Sequence, residues 1–431
     1  MPDRGVLVAA ALAALAACLG GCSSEGETVR IGILTDCQGP LRAYEDAQLS
    51  GAELPFLRRG ARLVGPGPSG GVTVIEDGGR RIELVRGCQE SGEHTVYIEE
   101  TRRLLETEKV DAIIGGASVV TRDLARRYPD VPFVSAFWDE QEVTLRRPAS
   151  NVFRFTPDYA QQAAGLGAYA YRELGWRRAA IVGGDQTSGW GGAAAFTAEF
   201  CALGGQVVGQ SFRSIFTGRP DVVGRALASE PDGVAAFLNF LDEPTKVVGR
   251  LAAGLGDTRR LVVWAPTLED LELMARLGPR LDGVVGTTWL PATAPSPVLA
   301  DYRRRYRAAF PGFPAFLADQ SWVIGYHNAA EAVLRALERT DGEDVRAGLL
   351  TELAELRLPL PGGTVSLDGN RQAIRDTYLS RLVVEDGKPT LEPVAVVKGV
   401  EQTFGGLLAS APPPGPGTQP CKTSRQIPWA R

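Results

Sequence analysis

Short apolar runs alternate with amphipathic segments along most of the chain, and this alternation limits the possible folds more than any other feature. The runs are rich in β-branched residues, as in the segment V-R-I-G-I-L-T at 29–35, which is typical of buried strands. Strands that alternate with helices form parallel sheets covered by helices on both faces. Because 431 residues are too many for one compact core, the sequence predicts an α/β protein with two lobes.

The stretch Val110–Thr121 predicts a ligand-binding edge. It consists of an apolar run, a Gly-Gly turn and Ser118, followed by a helical segment. A strand that ends in such a turn brings Ser118 and the free N–H groups of the next helix to the edge of the sheet where open α/β sheets bind ligands. The alternative is that Ser118 only caps its helix.

The N-terminus predicts export. Arg4 precedes an apolar core over residues 6–19, and L-G-G-Cys22 follows, which resembles a bacterial lipobox. We expect residues 1–22 to be a lipoprotein signal, Cys22 to carry the lipid anchor and residues 23–27 to be a linker. An ordinary signal peptide that contains a cysteine is the alternative. The apolar core is shorter than the ~20 residues that a membrane span requires.

The remaining cysteines predict disulfides, since the exported protein would fold in an oxidising compartment. Four cysteines allow three pairings. We pair Cys37 with Cys88, because both end early strands of the first sheet, and Cys201 with Cys421, which would strap the Pro/Gly-rich tail at 406–431 to the body.

Other ligand and partner classes have little support in the sequence. No cysteine pair has zinc-site spacing, and the only histidines, His94 and His327, lie far apart, so we expect no metal and no cofactor. The net charge of −5 and the scattered basic residues favour no nucleic-acid partner.

The order of several local motifs resembles a known family. The motifs are V-R-I-G-I-L-T-D-C-Q-G-P with L-S-G-A-E-L, K-V-D-A-I-I-G-G-A-S, V-P-F-V-S-A, N-V-F-R-F-T-P-D-Y-A-Q-Q and G-W-R-R-A-A-I-V. From about residue 29 to 397 the chain resembles the type I periplasmic binding proteins, specifically the branched-chain amino-acid-type substrate-binding lipoproteins of ABC transporters. The resemblance implies two doubly wound parallel-sheet lobes joined by a three-stranded hinge, with a small ligand between them.

The resemblance also implies the lobe boundaries and the site. The first lobe would comprise residues 28–156 and about 289–365, and the second 157–288 and about 366–405. Ser118 falls where the family holds a ligand carboxylate, whereas Asp139 departs from the family because it would repel one. The full set of implied ligand contacts is Tyr44, Ser118, Phe137, Asp139, Tyr159, Trp190 and Phe240.

Several of these residues have structural alternatives. Phe137 and Phe240 could belong to the core, because aromatic side chains bury readily. Asp139 could be a turn or capping residue. Trp190 lies between glycines instead of in an apolar run, which favours a position in the cleft.

Three classes of function compete. The leading hypothesis is a solute receptor that binds a small polar or amphipathic molecule, such as an amino acid or amide, and delivers it to a membrane permease of an ABC importer. The second is a sensor that uses the same lobes to control a partner protein. The third is a secreted hydrolase, for which G-x-S-x-G occurs at 67–71, but a Gly/Pro loop precedes this motif where a nucleophile elbow needs a strand.

Overall fold

The computed structural model describes residues 28–90, 93–116, 118–137, 139–214, 221–239, 243–269, 276–292, 296–342, 344–417, 421 and 426–430. The predicted signal, the lipidation site Cys22, the linker and Phe240 lie outside the described residues.

The first sheet has six strands in the order β2-β3-β1-β4-β5-β6. All neighbours are parallel except β2 and β3, which form a hairpin around Gly78 and Gly79. Strand β3 also pairs with β1 along its length, so it belongs to the main sheet. The strands are β1 Thr28–Gln38, β2 Ile75–Asp77, β3 Arg80–Glu90, β4 Ala112–Gly116, β5 Phe133–Phe137 and β6 Val152–Arg154.

The second sheet has the order β12-β13-β14-β11-β10-β9-β7-β8, with β15 paired to β14. Strands β7 to β11 are parallel, and β14 and β15 add a long antiparallel pair. The strands are β7 Arg178–Gly184, β8 Gln206–Arg213, β9 Gly233–Phe237, β10 Leu261–Val263, β11 Val285–Thr288, β12 Leu358–Leu360, β13 Gly363–Leu367, β14 Ala373–Glu385 and β15 Lys388–Val400.

Helices cover both sheets, because each has an apolar face that packs on the strands. One core lies on the β1 face, with the helix Ser321–Leu337 across it, and another lies between β7 and the helix Thr187–Ala202. The α-helices are Glu45–Arg58, His94–Arg102, Val119–Arg127, Leu166–Arg172, Thr187–Ala202, Val222–Ala228, Pro244–Leu255, Ala265–Leu268, Pro297–Ala309, Ser321–Leu337, Val345–Glu355 and Leu407–Ser410.

The two sheets are connected where the chain passes between them after β6, after β11 and at the start of β14. At this hinge Arg154 forms a β-bridge with Gln372, whose amide nitrogen donates to Thr156 O at 2.8 Å. The predicted α/β fold with two parallel-dominated lobes is confirmed. The exact lobe boundaries stay a prediction. Strands β12 and β13 are hydrogen-bonded to the second sheet through β14, whereas their apolar side chains pack into the first core.

Both predicted disulfides are present, Cys37–Cys88 and Cys201–Cys421, each with a Cα–Cα distance of 5.3 Å. The second one fastens a tail that contributes to the second core through Ile427 and Ala430, although its sequence showed no core pattern. Ser69 of the G-x-S-x-G match is exposed on a short turn. Within the described ranges, no helix is both long and apolar enough to span a bilayer.

Candidate ligand-binding site

A narrow cavity of about 30 Å³ lies between the two lobes beside the hinge. Its walls come from the carboxyl ends of β5, β9 and β10 and from the first turns of three helices, which is where open α/β sheets place their ligands. The residues that line it are Phe137, Tyr159, Gln162, Ser188, Asn239, Trp264, Pro266, Glu269, Gln320, Ser321 and Trp322.

The first lobe contributes a stack of three aromatic rings. The ring centroid of Trp322 lies 3.7 Å from that of Phe137 and 5.0 Å from that of Tyr44. The Trp322 ring plane makes angles of 27° with Phe137 and 16° with Tyr44, so both pairs are stacked. Gly325 permits this arrangement, because a Cβ there would lie 1.9 Å from Ala136 O. The helix that carries Trp322 therefore packs directly on the backbone of β5, one residue before Phe137.

The second lobe contributes Trp264 and a pair of polar side chains. The Trp264 indole donates to Leu238 O at 2.7 Å, which fixes the ring beside Tyr159 at a centroid distance of 6.1 Å. Asn239 follows β9, and its amide donates to Ser188 Oγ at 3.2 Å. The wall on this side therefore combines an apolar ring with groups that can form hydrogen bonds.

Asp139 lies behind the cavity wall and does not line it. Its carboxylate accepts from Thr156 Oγ1 at 2.9 Å and from the Gln162 amide at 3.2 Å, and it faces Arg154 Nε at 3.9 Å. Complete burial raises the pKa of Asp139 to about 6, although Arg154 opposes this shift. Asp139 therefore positions Gln162, which does face the cavity.

Glu269 is the carboxyl group in the cavity wall. The Trp289 backbone N–H donates to its Oε1, whereas its buried Oε2 has no hydrogen-bond partner among the described residues. Burial raises the pKa of Glu269 to about 8, opposed by the Trp289 N–H and by Arg375. A buried oxygen without a partner is energetically costly, so it marks a position where a ligand group would be stabilised.

Glu140 occupies the helix N-terminus that the sequence singled out. Its Oε2 accepts from the Val119 N–H at 3.1 Å, at the first turn of the helix that Ser118 caps. Its Oε1 accepts from Thr187 Oγ1 of the second lobe at 3.5 Å. Burial raises the pKa of Glu140, while the Val119 N–H opposes the shift. A side chain of the protein itself thus supplies the negative charge that such a terminus favours.

The structure brings some of the predicted site residues together and not others. Phe137 and Tyr159 line the cavity, and Tyr44 supports it from behind Trp322. Ser118 caps its helix and its N–H donates to Thr121 Oγ1 at 3.3 Å. Trp190 is half-buried outside the wall, and its indole donates to Asp185 at 3.1 Å.

Sequence reasoning missed Trp264, Trp322, Ser188 and Glu269. Trp264 directly follows β10, and a position at the end of a strand is a usable signal for a residue at the ligand-binding edge. Ser188 lies two positions before Trp190, and the helical geometry turns the smaller residue toward the cavity. Trp322 and Glu269 gave no local signal, because their positions depend on how helices from distant parts of the chain meet.

In the described ranges no cluster of three or more His, Cys, Asp or Glu side chains could hold a metal ion.

Comparison with protein families gives one match, to the family described as "Periplasmic binding protein", over residues 28–388. No curated protein sequence matches the chain.

Solved structures share the fold at low sequence identity. An ABC transporter substrate-binding protein from Sphaerobacter thermophilus has a TM-score of 0.75 at 23% identity, covering 87% of this chain and 99% of that one. A solute-binding protein of an ABC transporter from R. palustris, in complex with 4-hydroxybenzoate, has a TM-score of 0.73 at 19% identity, covering 87% and 98%. A leucine-binding protein from Thermotoga maritima has a TM-score of 0.68 at 23% identity, covering 86% and 99%.

Proposed function

The chain belongs to the periplasmic binding protein family, and we propose that it is the lipid-anchored solute receptor of an ABC importer. Members of this family bind solutes and are not enzymes. The receptor would close around a small polar or amphipathic molecule and deliver it to a permease.

One observation carries this proposal: both lobes and the hinge contribute walls to one cavity. A ligand that contacts Trp322 of the first lobe and Trp264 of the second binds the closed form better than the open one. Only such a difference in affinity can shift the population toward the closed form. Closure would then signal the loaded state to the permease.

The composition of the cavity supports a small ligand with an apolar body. Aromatic rings lie on both sides, while Ser188, Asn239 and Gln162 offer a few hydrogen-bonding groups. Sites with mostly apolar walls and a few placed polar groups bind small molecules in a fixed orientation. Relatives of this fold bind leucine and 4-hydroxybenzoate, which are small molecules with an apolar body.

Extracytoplasmic anchoring rests on the N-terminal sequence, and two disulfides agree with an oxidising compartment. Cys22→Ala should release the protein from the membrane fraction or leave its signal uncleaved. Fractionation and N-terminal sequencing measure this, with Cys18→Ala as the matched control. A Cys22 variant that sediments with lipid and keeps the wild-type mature N-terminus would rule out lipidation at this position.

The receptor function is tested by a thermal-shift screen of amines, amino acids, amides and aromatic acids, followed by small-angle scattering with each stabilising compound. A ligand at about 100 times its dissociation constant adds roughly 2.7 kcal/mol of stability. We expect the radius of gyration to decrease with ligand. Trp322→Ala should weaken binding, whereas the exposed Val396→Ala should not. A ligand that leaves the radius unchanged and binds Trp322→Ala normally would locate the site elsewhere.

Delivery to a permease is a separate question from binding. Deleting the gene should abolish uptake of the ligand into cells, and expression of the wild-type protein should restore it. Normal uptake in the deletion strain, together with a lost transcriptional or signalling response to the ligand, would favour the sensor instead.

A further inference from the structure

We propose that the cavity is built for an organic cation with an apolar body, and that Glu269 is the counter-ion of its positively charged group. The inference rests on the proposed receptor function and specifies the chemistry of its ligand.

The cavity walls favour positive charge over negative charge. The described residues that line it include Glu269 but no Lys, Arg or His. Four aromatic side chains, Phe137, Tyr159, Trp264 and Trp322, line the cavity. Because Trp322 is stacked between Phe137 and Tyr44, Tyr159 and Trp264 are the rings left to attract an ammonium group. An anion in this cavity would meet no opposite charge in the described wall.

Glu269 presents the unused half of a carboxyl group. Its Oε1 accepts from the Trp289 N–H, which fixes the orientation of the group, and the Ser321 N–H also acts on the carboxyl and lowers its pKa. Among the described residues, none is within hydrogen-bonding geometry of its Oε2. The Gln320 amide, another part of the wall, donates to the backbone oxygen of Glu269 at 3.0 Å and not to its carboxyl group. An ammonium or guanidinium group of a ligand would supply the missing donor as a charge-assisted hydrogen bond.

Glu140 removes the best position for a ligand carboxylate. The Val119 N–H at the helix N-terminus is already bound to Glu140 Oε2 at 3.1 Å. A second carboxylate there would compete for the same donor and be repelled by the charge already present. Because Glu140 also accepts from Thr187 of the other lobe, the protein bridges its lobes with its own carboxylate instead of that of a ligand.

Two buried guanidinium groups lie nearby, and neither lines the cavity, although the charge of Arg375 acts on Glu269 and favours its ionised form. Arg375 donates to Trp289 O at 2.6 Å and lies near the ring of the same tryptophan. Arg154 donates to Glu140 O at 2.9 Å and faces Asp139. Both are directed into the hinge.

Matched probes of one shape test the inference. Benzylamine, benzyl alcohol and benzoate share a ring and differ in charge, and isoamylamine and isovalerate repeat the comparison on an aliphatic body. Titration calorimetry on the full mature protein should show each amine binding at least about tenfold more tightly than its carboxylate, since the ammonium group donates a charge-assisted hydrogen bond to Glu269, whereas the carboxylate meets no cation in the described wall. Glu269→Gln should remove this preference, while Glu100→Gln, a carboxylate in the first lobe outside the cavity, should keep it.

The outcomes separate the two levels of the proposal. Carboxylates that bind as tightly as the amines, or an amine affinity that Glu269→Gln leaves unchanged, would overturn the cation inference while leaving a receptor in place. A panel in which no amine binds would also overturn it. If no compound in the wider screen stabilises the protein or makes it more compact, the receptor function itself fails.

Discussion

Two buried glutamates, Glu199 beside the C-terminal tail and Glu269 at the cavity, differ in how many hydrogen bonds their carboxyl oxygens accept. Glu199 accepts hydrogen bonds from the N–H groups of Gly165 at 2.7 Å, Gly167 at 3.0 Å and Ala168 at 3.3 Å, and from the Trp429 indole at 2.7 Å. At Glu269 one oxygen accepts from a backbone N–H and the other has no partner in the described part of the chain.

Burial raises the pKa of both groups, to about 7 for Glu199 and to about 8 for Glu269. A raised pKa therefore does not distinguish a structural carboxyl from a ligand-binding one. The number of carboxyl oxygens that accept hydrogen bonds does distinguish them. A carboxyl group that accepts hydrogen bonds at both oxygens stabilises the fold, whereas one that accepts at a single oxygen beside a cavity can accept another from a ligand. Predictions that separate stability from affinity test this difference.

The largest expected effect concerns the Cys201–Cys421 disulfide, which fastens the tail whose Trp429 donates to Glu199. Cys421→Ser opens a disulfide that joins residues 220 positions apart, and we expect the free energy of unfolding to fall by about 4 kcal/mol. Urea unfolding measures the loss, and hydrogen exchange should become faster at the amides of residues 165–168. Ligand affinity should stay unchanged. Slower or unaltered exchange at these amides would mean that the tail does not support the Glu199 site.

Glu199→Gln is expected to lower the free energy of unfolding by about 3 kcal/mol, because an amide NH₂ would face N–H donors and leave some of them unsatisfied. The matched variant Glu269→Gln should change it by less than about 1 kcal/mol, since the amide oxygen can keep the Trp289 N–H bond and no described residue makes a geometric hydrogen bond to the Oε2 position. Urea unfolding of the unliganded proteins at one pH gives both values. Equal losses in the two variants would remove the distinction between the two glutamates.

The pH dependence of binding should also distinguish Glu269. With its pKa at about 8, Glu269 must release a proton to pair with a cation below that pH. The affinity for benzyltrimethylammonium, whose charge is permanent, should therefore rise by up to about tenfold per unit from pH 6 to 8 and level off above.

The groups that act on Glu269 are Arg375, Asp319 and the N–H groups of Trp289 and Ser321, and Glu269→Gln leaves all of them in place. Calorimetry at several pH values should give a flat profile for this variant. A profile that persists in Glu269→Gln would assign the titration to another buried acid, such as Asp158, whose pKa burial raises to about 7.

The smallest expected effect is at Trp190. Because its indole donates to Asp185 and the cavity wall nearby is Ser188, Trp190→Ala should weaken ligand affinity by less than about threefold. Trp264→Ala, in the wall itself, is the comparison. Equal losses in calorimetry would restore Trp190 to the ligand contacts that the sequence predicted.

Much of the fold could be predicted from local patterns. Apolar runs such as that of β1 and turns such as Gly78-Gly79 carry their structure in adjacent residues, and the order of the motifs indicated the two-lobe fold. The tail was harder to interpret, because Ile427 and Ala430 reach the second core only after a disulfide brings them there.

The candidate site was predictable where it lies at a strand end and unpredictable elsewhere. By itself the sequence determined that Phe137 lies at the end of a strand and that Ser118 precedes a helix, since local sequence patterns indicate both positions. Only the tertiary structure decided that Trp322 stacks on Phe137, that Glu140 occupies the N-terminus beside Ser118 and that Glu269 Oε2 has no geometric hydrogen bond among the described residues. These contacts join segments far apart in the chain, and a side chain's unsatisfied hydrogen-bonding capacity depends on every group packed around it.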